Sequence, residues 1–131
     1  MENEVTEDYE AAAIRHYENA KFLRENGDID NAGHLVGFAA ECAIKFRIVS
    51  LQPGSSAPHI HLPDLLITAR KKFHGRGLGT NIYHIVKDDH FRTWDVSRRY
   101  WATKSTAETE LEEWFIVTRR LLGAAGVRGG K

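Results

Sequence analysis

The segment from Asp28 to Leu51 most constrains what this chain can fold into, because its apolar residues recur at helical spacing and cover nearly the whole circumference. These positions include Ile29, Ala32, Leu35, Val36, Ala39, Ala43, Phe46 and Val49. A helix that is apolar on nearly every side needs neighbours on nearly every side. With Asp28 as its N-cap, the segment predicts the central helix of a bundle.

One polar strip interrupts this apolar surface and indicates where a cleft would lie. Its members, which fall within roughly 60° of one another at about 100° per residue, are Asp30, His34, Glu41 and Lys45. Glu41 and Lys45 form an i,i+4 pair in the favourable order. Gly33 and Gly37 beside the strip lower helix propensity but permit the close approach of another helix.

Two further helices are predicted on either side of the central one. The first runs from about Glu7 to Glu25, with Asn26-Gly27 as a left-handed C-cap. His16 lies on its apolar stripe, where a hydrogen-bonded core histidine is the favoured interpretation. After a loop rich in proline, glycine and serine, Pro63 is expected in the first turn of a third helix.

The second half of the chain predicts a shorter helix over Asn81 to Lys87 and an irregular or helical stretch from Trp94 to Ala102. The last helix is predicted to start at the capping box Ser105-Thr-Ala-Glu108 and to end at Gly123. Alternating strand patterns, internal repeats and long linkers are missing from the sequence. We therefore expect one all-α domain over residues 1–131, an antiparallel bundle of four or five helices, with mobile tails at 1–6 and 124–131.

Composition narrows the cellular setting. The 131 residues carry no net formal charge, so nothing global favours a polyanionic partner. The single cysteine, Cys42, cannot form a disulfide within the chain, which fits a reducing cytoplasm. No apolar run approaches the roughly 20 residues that cross a bilayer, so we expect a cytoplasmic protein without a membrane partner.

Three motifs carry a resemblance to a known family. The first is the turn Gly27-Asp28 followed by Ala39-Ala-Glu-Cys-Ala-Ile-Lys45. The second is His59-Ile-His-Leu-Pro-Asp-Leu65. The third is Trp94-Asp-Val-Ser-Arg-Arg-Tyr100. In this order the motifs resemble the HEPN domain family, in the small prokaryotic form found beside or fused to minimal nucleotidyltransferases. The resemblance implies an antiparallel bundle, commonly a homodimer, with a polar cleft near the dimer interface.

The resemblance also implies two kinds of function. Many members of the family are metal-independent RNases that act as toxins or in defence against phage. Others bind nucleotides or serve as partner modules, for instance of a nucleotidyltransferase. Catalytic members carry an arginine followed by a histidine after four to six residues, because the arginine holds the scissile phosphate while the imidazole moves a proton.

That catalytic pair is missing from this sequence. Arg70 and His74 are too close in the chain, Arg76 and His84 are too far apart, and no histidine follows Arg99. The catalytic residues of the family therefore cannot be transferred, and whether the chain is an enzyme stays open.

Arg99 and Tyr100 do match the family's Trp-x-Val-x-x-Arg-Tyr element, and two interpretations of them stay open. Arg99 could contact a phosphate or nucleotide, or it could form an ion pair with Glu41 while Tyr100 and Trp94 pack in the core. Likewise Trp94, Tyr100 and Trp101, interleaved with arginines, could stack on bases or fill a core or dimer interface.

The ligand-binding candidates are His34, Glu41, Lys45, Arg98, Arg99 and Tyr100. No metal or cofactor is expected, since His59 and His61 have no acidic or thiol partner in a matching motif. The leading hypothesis is a HEPN-like partner component of a toxin–antitoxin or defence system that binds a nucleotide or RNA at a polar cleft. The alternatives are a metal-independent RNase, in which Arg98 or Arg99 clamps phosphate while His34 or His84 moves protons, and a non-catalytic structural adaptor.

Overall fold

The computed structural model describes residues 8–52, 54, 56–75 and 80–127, which form five α-helices and one 3-10 helix without any strand. The α-helices are α1 (Tyr9–Glu25), α2 (Ile29–Leu51), α3 (Leu65–Phe73), α4 (Thr80–Val86) and α5 (Glu108–Ala125), and the 3-10 helix spans Val96–Tyr100. The expected all-α class and the number of helices are confirmed. None of the described helices combines the length and apolar character needed to span a membrane.

Helix α2 is the centre of the bundle, as its apolar surface predicts. It packs along α1 and α5 and also contacts α3 and the 3-10 helix. Eleven of its residues are buried, whereas α1 buries only Ala13 and Ala20. Burial of apolar surface on several sides of one helix is what organises the remaining elements around it.

A tight turn joins α1 to α2. Gly27 adopts φ 84°, and its N–H donates to Arg24 O at 3.1 Å while Asp28 N–H donates to Leu23 O at 2.9 Å. This pair of bonds is a Schellman motif, which satisfies carbonyls at the end of α1. The Asp28 side chain then accepts from Asn31 N–H and caps α2, so both predicted caps are confirmed.

Two glycines on α2 admit two indole rings. A Cβ on Gly37 would lie 2.0 Å from the ring of Trp94, which is fully buried and donates its Nε1–H to Gly33 O at 2.9 Å. A Cβ on Gly33 would lie 3.0 Å from Trp114 of α5. The close approach predicted for these glycines is confirmed at Gly33, while at Gly37 the neighbour is a side chain from a loop rather than a helix.

The ends of α5 differ from the prediction. The helix starts at Glu108 rather than at Ser105, because the carboxylate of Asp30 accepts from Lys104 N–H at 2.5 Å and Thr106 N–H at 3.0 Å and holds this segment outside the helix. Only half of a capping box remains, in which Glu110 accepts from Ala107 N–H at 3.3 Å.

At its other end, α5 continues through Gly123 to Ala125. Gly126 closes it with φ 79°. Its N–H donates to Gly123 O at 3.2 Å, and Val127 N–H donates to Leu122 O at 3.0 Å, which makes a second Schellman pair. Residues 124 and 125, which were predicted to belong to a mobile tail, are therefore helical. Residues 1–6 and 128–131 of the predicted tails lie outside the described residues. Pro63 likewise precedes α3, which starts at Leu65, instead of occupying its first turn.

Candidate functional site

Three histidines surround the ring of Phe38 on α2, and we call them the histidine cluster. The ring centroid of His34 lies 4.8 Å from that of Phe38, His16 of α1 lies at 5.9 Å, and His61 lies at 6.2 Å. The cluster thus joins two helices and the segment that precedes α3. Of its members, only His34 was among the ligand-binding candidates from sequence.

His34 has a buried nitrogen that no described residue satisfies. Its ring stacks on Trp94 at 5.7 Å with 16° between the planes, and its Nδ1 is buried without a hydrogen-bond partner in the described part of the chain. Burial lowers the pKa of His34 from its usual value of 6.5, and the positive charge of Arg99 and the neighbouring His16 lower it further. A buried polar atom without a partner is costly, so this nitrogen is a candidate for a hydrogen bond to a ligand.

Two exposed arginines lie at the cluster. Arg99 is close enough to His34 to lower its pKa, and its guanidinium lies over the ring of Tyr100 at 5.1 Å. Arg15 similarly lowers the pKa of His16, after burial and against an opposing effect of Glu41. Neither arginine makes a hydrogen bond or ion pair with a residue that the structure describes.

The ion pair between Arg99 and Glu41 that one interpretation predicted is therefore wrong. Glu41 is 4% exposed, and its carboxylate accepts from Lys45 Nζ at 3.3 Å and Leu62 N–H at 3.2 Å and contacts His61 Nδ1 at 2.9 Å. Lys45 is buried as well. Glu41 and Lys45 thus compensate each other's charge inside the bundle, and Glu41 holds the segment before α3 through Leu62 and His61.

Glu41 also fixes the orientation of His61. A carboxylate can only accept, so Nδ1 of His61 is the donor to Glu41, and in the neutral ring the lone pair then lies on Nε2. About half of the His61 side chain is exposed. This arrangement gives the cluster one imidazole that is held by a buried carboxylate and reaches solvent, a geometry suited to accepting a proton or a hydrogen bond.

Arg98 has surroundings unlike those of Arg99. Its side chain is 7% exposed and donates to Thr93 O at 2.9 Å and to the Glu110 carboxylate at 2.9 Å. Its guanidinium lies between the rings of Trp101, at 4.4 Å, and Trp114, at 4.9 Å. Arg98 is thus an internal support and leaves Arg99 as the arginine available for a ligand.

The aromatic residues of the same segment divide between core and surface. Trp94 is buried, as expected, but Tyr100 is 78% exposed, so the interpretation that placed it in the core is wrong. Trp101 is 46% exposed. His84 on α4 is exposed and contacts the ring of Tyr83, so the structure brings His34, and not His84, to Arg99.

The described residues form neither a metal site nor a reactive thiol. Within the described ranges, no group of three or more histidine, cysteine, aspartate or glutamate residues could hold a metal ion. Burial and the neighbouring Glu41 carboxylate raise the pKa of Cys42 to about 11, so that its thiol stays protonated at neutral pH.

The open clefts elsewhere on the described surface include two that contain paired charges. One of about 520 Å³ lies between the α1–α2 turn and α5 and includes Arg24 and Glu112 in its lining. The other, of about 400 Å³, includes His90 and Glu113. Both contain paired charges, since Arg24 bonds Glu112 and His90 contacts Glu113 at 2.9 Å. Neither cleft includes a member of the histidine cluster.

No protein-family model, curated protein or solved structure matches the chain. Sequence reasoning missed Arg15, His16 and His61 as site residues because each belongs to a different segment from His34. His16 was interpreted as a hydrogen-bonded core residue, yet it is half-buried and has no hydrogen bond to a described residue. The sequence contains seven histidines in 131 residues. That number could suggest a histidine-containing site, but it does not predict which histidines lie close together in the fold.

Proposed function

We propose that the histidine cluster and Arg99 bind a phosphate-bearing ligand, a nucleotide or RNA, in a HEPN-like helical module. The observation that carries this proposal is the pairing of an exposed arginine without a described ion-pair partner and a neighbouring histidine whose buried Nδ1 has no partner. A guanidinium binds phosphate through two parallel N–H donors. An imidazole can add a further hydrogen bond to phosphate or sugar oxygen.

The electrostatics of the cluster support an anionic ligand. Arg15 and Arg99 each lower the pKa of a cluster histidine, which means that both project positive potential onto it. The buried carboxylate of Glu41 is compensated by Lys45. Asp95, at the edge of the cluster near His61, is engaged in accepting from Ser97 N–H at 2.8 Å. Asp95 keeps its negative charge, so Arg15 and Arg99 together leave these groups with a net positive charge for an arriving phosphate.

The three motifs behind the HEPN resemblance contribute to this one region. The first supplies Glu41 and Lys45, the second supplies His61, and the third supplies Trp94 and Arg99. These motifs lie far apart in the sequence but meet around one cluster. This supports a function shared with the family rather than a chance similarity of sequence. On this basis the proposal includes the family's setting: a cytoplasmic homodimer that is the partner component of a toxin–antitoxin or defence system, for instance with a nucleotidyltransferase.

The second candidate function is metal-independent RNA cleavage, favoured by the proximity of a lowered-pKa His34 to Arg99. A neutral imidazole would take the proton of a ribose 2′-hydroxyl, whose oxygen attacks the adjacent phosphorus. The bond to the 5′-oxygen then breaks, that oxygen takes a proton from a second histidine, and a 2′,3′-cyclic phosphate remains. Arg99 would balance the charge that develops on the phosphate oxygens. A purely structural adaptor would be favoured by an Arg99 buried against Glu41, and Arg99 is exposed instead.

Equilibrium binding of a labelled single-stranded RNA, measured by fluorescence anisotropy at low salt with EDTA, tests the proposal. Arg99→Ala is expected to weaken binding about tenfold or more and to reduce the salt dependence by about one phosphate contact. Arg119→Ala is the matched control, because Arg119 is equally exposed and lies on α5 outside the cluster. Equal affinity of the two variants would refute the phosphate site.

The same samples, separated on a gel after incubation, decide between binding and cleavage. Cleavage by wild type that is lost in both Arg99→Ala and His34→Gln would favour the RNase. Binding without cleavage would favour the nucleotide- or RNA-binding module.

A further inference from the structure

We infer that Tyr100 and Trp101 form a stacking platform for unpaired bases, so that the site takes single-stranded nucleic acid in preference to duplex. This inference rests on the proposed phosphate site and names the class of its ligand. The platform follows directly after Arg99 in the chain. A single-stranded nucleotide offers an anionic phosphate beside a flat apolar base, and this segment offers a cation beside two flat rings.

The ring of Trp101 is supported by Arg98 and partly exposed to solvent. Arg98 covers one face at 4.4 Å, while the residue as a whole is 46% exposed. Arg98 is itself held by Thr93 O and Glu110 and backed by the Trp114 ring at 4.9 Å. A ring that is held in place before binding loses little conformational freedom when a base stacks on its free face.

Tyr100 is the second exposed ring and directly precedes Trp101 in the chain. It is 78% exposed, more than any other large hydrophobic residue described. The backbone that presents it is fixed at both ends of the 3-10 helix, since the Asp95 side chain accepts from Ser97 N–H at 2.8 Å and Trp101 N–H donates to Arg98 O at 3.0 Å. The exposure of Tyr100 therefore belongs to an ordered segment and not to a loose loop.

Charge distinguishes this surface from the other exposed apolar residues. Phe22, Ile67 and Ile116 lie on three different helices and offer no platform of adjacent rings. At Tyr100 the guanidinium of Arg99 lies 5.1 Å from the ring centroid and has no described counter-ion. An aromatic pair intended only for a protein interface does not require such an uncompensated cation, whereas a nucleic-acid strand supplies its counter-charge.

The test compares three RNA probes of equal length by fluorescence anisotropy at one low salt concentration: a single strand, an abasic strand and a duplex. Wild type is expected to bind the single strand about tenfold or more tightly than the abasic strand. Tyr100→Ala and Trp101→Leu are each expected to remove most of that preference while keeping the binding of the abasic strand. Tyr100→Phe and Trp101→Phe keep a ring and should retain it.

The single strand made as DNA is measured alongside, because stacking does not involve the 2′-hydroxyl. Its affinity should respond to Tyr100→Ala as the RNA does, and a response of the RNA alone would overturn the platform. Since Trp101→Leu also removes a support of Arg98, each variant is checked by thermal unfolding, and the exposed Tyr100 provides a substitution that leaves the fold intact.

The remaining outcomes separate this inference from the proposed function. If Arg99→Ala weakens all probes while the ring variants bind like wild type, the platform is refuted and the phosphate site stands. If wild type binds none of the probes, both fail. If the ring variants bind like wild type but convert a dimer to a monomer in sedimentation velocity, the aromatic pair is a protein interface and the inference is overturned.

Discussion

Arg98 and Arg99 are identical in charge and adjacent in sequence, yet their side chains have opposite environments. In the 3-10 helix, Arg98 turns inward onto two indole rings and a carboxylate, whereas Arg99 turns toward His34 and solvent. The sequence identifies a basic pair but not which member is internal, because that depends on the position of Trp114 and Glu110 in another helix. At the scale of single residues, tertiary contacts decide which charge is available for function.

This difference predicts unequal effects on stability. Arg98→Ala should lower the free energy of unfolding by about 1–3 kcal/mol, because it removes charged hydrogen bonds and leaves Glu110 without its cationic partner. Arg99→Ala should change it by less than about 0.5 kcal/mol. Urea denaturation of both variants measures the two values, and equal losses would contradict the assignment of Arg98 as the internal support.

Gly37 provides a second residue-scale prediction. Gly37→Ala places a methyl group where the Trp94 ring lies, 2.0 Å away, so we expect a loss of about 1–3 kcal/mol or more in the free energy of unfolding. Gly123→Ala is the matched control, because it lies in α5 with nothing within 4 Å of an added Cβ and should stabilise the protein by about 0.5–1 kcal/mol. Urea denaturation in which Gly37→Ala matches wild type would show that the indole does not occupy this position.

Helix α2 connects distant segments through its polar strip. Asp30 holds the backbone of Lys104 and Thr106, and Glu41 holds Leu62 and His61. Although burial opposes it, hydrogen bonds from Lys104 and Thr106 keep the pKa of Asp30 below its usual value. The strip that was expected to line a cleft therefore anchors, through Asp30 and Glu41, the segments that lead into α5 and α3.

Removing one partner of the buried ion pair tests this anchoring. Glu41→Ala should cost about 3–5 kcal/mol of unfolding free energy, because it leaves the charge of Lys45 buried without compensation. The double variant Glu41→Ala/Lys45→Met should recover part of that loss, since no buried charge remains. A double-mutant cycle by urea denaturation measures the coupling, and additive losses would rule out a dependence of the two side chains on each other.

The elements show what could be predicted from sequence. The central helix and the caps at Gly27 and Asp28 were predicted correctly, because periodicity and capping are local properties. The start of α5 was wrong because Asp30, more than seventy residues away, binds the backbone at Lys104. The candidate site was only partly predictable: His34 was found from the polar strip of the central helix and Arg99 from its motif, but His16 became apparent only where α1 packs on α2.

On the scale of the whole molecule, the site lies where four segments of one fold meet. Residues from α1, α2, the segment before α3 and the 3-10 helix all face the Phe38–Trp94 region. No single element contains a complete set of ligand contacts. A change that disturbs the site should therefore also lower the stability of the whole fold. A change of pH does this by protonating His16 and His34.

Stability should fall as the pH is lowered from about 7 to 5. In the folded protein, burial lowers the pKa of both His34 and His16. Arg99 lowers that of His34 further, and Arg15 that of His16. Near pH 6.5, the usual histidine pKa, the unfolded chain therefore binds more protons than the folded protein. The stabilisation is present above that value and is lost as the pH decreases toward the folded pKa. Asp30 and Asp95 have lowered pKa values, so the stability that they contribute is present throughout this range and is lost only at more acidic pH.

Urea denaturation of wild type, His34→Gln and His59→Gln at pH 7.5 and 5.5 measures this dependence. His34→Gln should reduce the difference between the two pH values. His59→Gln should not, because His59 is exposed and outside the histidine cluster. A wild type that is equally stable at both pH values would contradict the burial of the two imidazoles in their neutral form.

The two indole rings that fill the glycine positions of α2 also bear on how the protein is made. A ribosome completes α2 at Leu51, whereas Trp94 and Trp114, which cover Gly37 and Gly33, emerge only after another 43 and 63 residues. When α2 is complete, α1 is the only other helix already synthesised, and of the helices that follow before Trp94, α3 also contacts α2. The nascent chain is therefore exposed to association with other chains until its last helix is translated, and it is a natural client for chaperones that act during synthesis.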